Sequence, residues 1–86
     1  MNVNITFRHM DHTSALDQII REKSEKFSKW FGSQADVQWI CWIDGTSHCS
    51  EVTVQSGNCE YFAKANADDM YKSFDMAIHK IQNQLQ

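Results

Sequence analysis

Residues 36–66 read DVQWICWIDGTSHCSEVTVQSGNCEYFAKAN, and their alternation predicts three strands. In DVQWICWID, residues 36–44, Val37, Trp39, Cys41 and Ile43 share one face while Gln38, Ile40, Trp42 and Asp44 share the other, because successive side chains of a strand point to opposite sides. Asp44-Gly45 is a turn signal, since glycine accepts the positive φ that tight hairpin turns require. HCSEVTVQ, residues 48–55, gives the next strand, with Val52 and Val54 inward. Ser56-Gly57-Asn58 turns the chain again. CEYFAKAN, residues 59–66, gives the third, with Tyr61, Ala63 and Ala65 inward. Such a meander has one apolar face that other elements must cover.

The covering elements lie on either side. Toward the N-terminus, VNITFR, residues 3–8, alternates Val3, Ile5 and Phe7 against Asn4, Thr6 and Arg8, which predicts a further half-buried strand. After the polar stretch His9–Ser14, either Thr13 or Ser14 can cap a helix, and Ser14 with Asp17 suggests a capping box. From Ala15 to Phe31 the period is helical: Ile19, Ile20, Phe27, Trp30 and Phe31 fall within about 60° of Leu16, and Gly32 follows where a glycine ends a helix. Toward the C-terminus, Asn66, Asp68 or Asp69 can cap a second helix, whose stripe is Met70, Phe74, Ala77, Ile78, Ile81 and Leu85.

The order β-α-β-β-β-α predicts an α+β fold, a four-stranded sheet with both helices packed on one face. The first connection is a right-handed crossover and the rest a meander. The expected core is Ile5, Leu16, Ile20, Phe27, Phe31, Val52, Val54, Phe74, Ile78 and Ile81. The 86 residues suit a single domain, residues 1–86. A 42% hydrophobic, 22% charged composition is that of an ordinary globule rather than a disordered segment. No apolar run approaches a membrane span, and the N-terminus lacks a signal-peptide core, so a cytoplasmic protein is expected, with no membrane partner.

Chemistry is sparse. Three cysteines (Cys41, Cys49 and Cys59) and four histidines show no CxxC or zinc spacing, so neither a disulfide framework nor a metal site is expected. Asp68-Asp69 suits a helix start better than acid–base catalysis. No nucleophile elbow, triad or phosphate-cradling loop is present, and the expectation is no enzyme, no cofactor and no small-molecule substrate. The net charge of −3 argues mildly against a nucleic-acid partner.

HTSALDQIIREKSEKFSKWF, SHCSEVTV and above all ADDMYKSFDMAIHKIQNQL nevertheless resemble the ribosome hibernation-promoting factor and ribosome-associated inhibitor family, in its short form. The resemblance runs in one register from Asn4 to Leu85, and its most specific part is Asp69-Met70-Tyr71 with Asp75 and the stripe that follows. It implies a fold similar to a double-stranded-RNA-binding domain with an extra strand. It also implies a partner, the small ribosomal subunit, whose decoding region such proteins occupy, blocking translation and protecting idle ribosomes under stress and in stationary phase.

Lys23, Lys26 and Lys80 match family lysines, and the resemblance makes them, with Arg8 and Lys29, the RNA-binding candidates. Lys23, Lys26 and Lys29, spaced by three, drift about 60° per step and form a diagonal beside the apolar stripe. The bland reading is a solvated face with Glu22–Lys26 and Glu25–Lys29 pairs. Departures from the family weaken the electrostatic case: Trp42 and Gly45 replace lysines, Asn83 replaces an arginine, and no Lys-rich tail follows Leu85 within the 86 residues. Ile40, Trp42 and Phe62 fall opposite the helices. Three readings stay open for them: a base-stacking platform, a protein interface (a homodimer or another partner), or core positions if the strand phase is shifted. A diverged member acting through protein contacts is therefore the alternative to ribosome binding. The two separate on whether the five cations gather on one surface.

Overall fold

A computed structural model describes residues 1–85; Gln86 lies outside the described residues. The elements run β1 (Asn2–Arg8), α1 (Ser14–Phe31), β2 (Asp36–Asp44), β3 (Ser47–Ser56), β4 (Cys59–Ala67) and α2 (Met70–Gln84). The sheet order is β1-β2-β3-β4, with β1 parallel to β2 and the two following pairs antiparallel. Gly45 and Gly57 take φ of 62° and 60° in the hairpin turns, a conformation that favours glycine. No helix is long and apolar enough to cross a membrane.

Both helices cover the same face because both reach Trp39. Its ring lies 6.4 Å from Phe27 of α1 and 5.6 Å from Phe74 of α2. The indole Nε1–H donates to Ser24 Oγ at 2.8 Å, and that hydroxyl donates to Ile20 O at 2.7 Å, so the polar atom of the largest core ring is satisfied inside the core. Val37, Cys41, Val52, Val54, Ile20, Ile78 and Ile81 close around it. The strand phase follows the alternation, which removes the reading that placed Trp42 in the core.

Ile5, Leu16 and Phe31, expected in the core, are only partly buried. Ile5 is on an edge strand, Leu16 in the first turn of α1, and Phe31 in its last, against Tyr61 with ring centroids 4.9 Å apart. Leu85 stands past the end of α2 and is exposed rather than part of its stripe. Positions at element ends have neighbours on one side only, which periodicity does not register.

The capping also differs from the expected box. Thr13 is the cap, its hydroxyl accepting from Leu16 N at 3.2 Å, and Ser14 already belongs to the helix. Asp17 accepts instead from Arg21 Nε at 2.6 Å and contacts His12 Nε2 at 2.9 Å. Hydrogen bonding to Arg21, seconded by His12, holds its carboxyl below the usual range. Asp69 caps α2, accepting from Lys72 N at 2.8 Å.

Candidate functional site

The two edges of the sheet explain several of the cations. β1 and β4 have no outer neighbour, so carbonyls on their outer sides need other partners. Arg21 of α1 donates from Nη1 to Val3 O at 2.9 Å. On the far edge, Lys80 Nζ donates to Lys64 O at 2.7 Å and Gln84 Nε2 to Phe62 O at 2.7 Å. Lys80 and Gln84, one turn apart on α2, thus cover alternate carbonyls of β4. Lys80, a sequence candidate for phosphate contact, already has a structural occupation.

Lys23 is also engaged. Its Nζ lies 2.6 Å from Asp75 Oδ1, joining α1 to α2 across 52 residues of sequence. The lysine is 31% exposed and the aspartate 63%, so this is a surface pair that contributes at most about 1 kcal/mol. Lys26 and Lys29 are exposed on α1 and make no ion pair among the described residues. The expected Glu22–Lys26 and Glu25–Lys29 pairs do not form; Glu22 accepts from Gln18 instead, at 3.1 Å. An open cleft along the first half of α1 is lined by Asp17, Glu22 and Glu25 against the single Arg21, a charge balance unsuited to phosphate.

Arg8 stands apart from these lysines. It points from β1 to the sheet face away from the helices, where its Cζ lies 5.9 Å from the Trp42 ring centroid. Lys64 of β4, which the sequence did not single out, brings its Nζ to 5.3 Å from the same ring. Cations over an indole face are attracted by its quadrupole. The alternation of CEYFAKAN puts Lys64 on the Phe62 face, but the register decides the neighbour: Arg8 pairs with Trp42, and Ile40, Glu51 and Lys64 share the next row. Phe62 is 50% exposed on this face, while Ile40 and Trp42 are half-buried. The five candidate cations therefore do not form one surface: four belong to the helix layer and Arg8 to the sheet face.

A family model described as Sigma 54 modulation protein / S30EA ribosomal protein matches residues 3–86. The chain belongs to that family. Among its relatives, the ribosome hibernation promoting factor of Azotobacter vinelandii is 31% identical over 85 residues, covering 99% of this chain and 79% of the relative. The protein of the same name from Escherichia coli is 29% identical over 85 residues, covering 99% and 90%. A solved ribosomal subunit interface protein from Coxiella burnetii has the same fold at a TM-score of 0.87 and 24% identity, over 99% of this chain and 93% of that one. The N-terminal domain of Thermus thermophilus Protein Y matches at a TM-score of 0.90 and 16% identity, over 99% and 96%. In this member of the S30EA family the helix layer carries Lys23, Lys26, Lys29 and Lys80, and the sheet face carries Trp42 with Arg8 and Lys64 beside its ring.

Proposed function

We propose that this protein is a ribosome hibernation factor of the cytoplasm, one that occupies the decoding region of the small ribosomal subunit and keeps idle ribosomes out of translation. The supporting observation is membership of the family over residues 3–86, with relatives named ribosome hibernation promoting factor matching along 99% of the chain. The action is binding, with no reaction to catalyse.

Lys26 and Lys29 are the readiest phosphate ligands, since neither ammonium has an internal acceptor to give up. Lys23 joins them by exchanging Asp75 for a phosphate, a small loss for a surface pair. Lys80 keeps its bond to Lys64 O and has two further N–H donors to offer. Such contacts fix position on ribosomal RNA without reading sequence. With a net charge of −3 and few free cations, binding rests on shape and on ribosomal protein contacts as well as phosphates.

The test is co-sedimentation of the pure protein with small subunits, before and after Lys26→Glu with Lys29→Glu. Binding that falls and loses salt dependence supports the reading; binding unaffected by the double reversal moves the contact elsewhere.

A further inference from the structure

Among the described residues, one ion pair joins the two helices: Lys23 of α1 and Asp75 of α2, with Nζ and Oδ1 2.6 Å apart. The lysine leaves α1 on its apolar side. Ile19 and Phe27 stand one turn before and one turn after it, the first packed against the core and the second inside it. A lysine so placed lays its stem along apolar surface and brings its ammonium out at the rim. Here the rim is the seam between the helices, and Asp75 meets the ammonium there. Lys26 and Lys29, further round the helix, are exposed.

The two members of the pair are unequally exposed, the lysine side chain 31% and the aspartate 63%, so the acid is the outer partner. A phosphate approaching Lys23 from water meets the carboxylate first. That carboxylate already holds, at the length of a charge-assisted hydrogen bond, a place that a phosphate oxygen would take. Lys80 is a useful contrast. It shares its ammonium with a neutral carbonyl, which leaves a phosphate unopposed, whereas Asp75 repels one by like charge. Nor is the pair needed to space the helices: Phe27 and Phe74 already seat both on Trp39, and an exposed pair adds little to such packing.

We propose that Asp75 is an internal competitor for phosphate at Lys23, a specificity-determining residue that withholds this cation from loose contacts and releases it only to a phosphate held against the seam. The proposal rests on the phosphate reading of Lys23. It adds that the helix layer binds RNA less tightly than its own lysines would allow.

Asp75→Asn keeps the shape and removes the charge. Its effect is measured with Lys23 present and in the Lys23→Gln background, by co-sedimentation titration with small subunits and by fluorescence anisotropy of a labelled RNA duplex at low salt. With Lys23 present, Asp75→Asn should tighten binding about fivefold, the scale of one exposed ion pair. In the Lys23→Gln background the gain should fall below about twofold. Asp44→Asn removes the same charge at the β2–β3 turn and should change binding by less than about twofold. Circular dichroism of each variant checks folding. A gain equal in both backgrounds, or matched by Asp44→Asn, makes Asp75 an ordinary negative charge and overturns the proposal. Binding that weakens in Asp75→Asn makes the carboxylate a guide for Lys23 and equally overturns it. A wild type that ignores small subunits, while the duplex shows the Lys23-dependent gain, removes the ribosome reading and supports the competition. A wild type that pellets with small subunits but shows no such gain on either RNA overturns the competition alone.

Discussion

Ser24 and Ser50 are both fully buried, yet they stand in opposite situations. Ser24 accepts the Trp39 indole proton and donates to Ile20 O, whereas Ser50 Oγ has no partner among the described residues. Ser24→Ala should therefore leave a buried N–H unpaired and cost about 1–3 kcal/mol, while Ser50→Ala should be neutral or slightly stabilising. Urea denaturation of the two variants measures the contrast, and equal losses would refute this hydrogen-bond assignment. The cysteines divide in the same way. Burial pushes the Cys41 thiol up to about 12, and Cys49 is buried as well, while Cys59 is exposed. A thiol reagent applied to the native protein should label one cysteine quickly and the other two only on unfolding. Alternation in the sequence places Trp39 on the inner face, but nothing there marks Ser24 as its partner. A serine within an amphipathic helix reads the same whether it faces water or an indole, and the bond depends on how α1 lies on β2.

At the scale of elements, all four strands and both helices were legible, because each carries an unbroken period of 2 or 3.6. Strand bounds from the alternation differ from the observed ones by a residue at most, as with Asn2 in β1 or Ser47 and Ser56 in β3. The cap of α1 was legible only as a choice between Thr13 and Ser14, since both hydroxyls suit the position and backbone geometry decides. The covering of the sheet edges was not legible at all. Lys80 and Gln84 read as polar residues on the outer side of α2, and only the placement of that helix over β4 turns them toward Phe62 O and Lys64 O. Replacing both by alanine should lower stability by about 1–2 kcal/mol, two modest hydrogen bonds. For a domain of this size that lowers the thermal midpoint by several degrees. A midpoint unmoved by the double replacement would show that water serves those carbonyls as well.

For the whole molecule, the sequence supplied a list of cations and the fold decided which are free. Arg21 and Lys80 are bound to edge carbonyls, Lys23 to Asp75 and Lys72 to Asp68, leaving Lys26 and Lys29 unpaired among the described residues, on the exposed side of α1, and Arg8 with Lys64 on the sheet face. Residue spacing foretold the diagonal of Lys23, Lys26 and Lys29 but not this division, which depends on strand register and on the packing of two helices distant in sequence. Lys64 was overlooked for the same reason: its importance lies in a ring two strands away.

The central claim is that the protein holds the small ribosomal subunit through the free lysines of α1, and co-sedimentation at two salt concentrations tests it most directly. The account predicts that the wild-type protein pellets with small subunits, less so at higher salt, and that Lys26→Glu with Lys29→Glu reduces the pelleted fraction and flattens its salt slope by about one to two units. A folded protein that stays in the supernatant at both salt concentrations would contradict the ribosome partner itself, and pelleting unchanged in the double variant would contradict the face assigned to it.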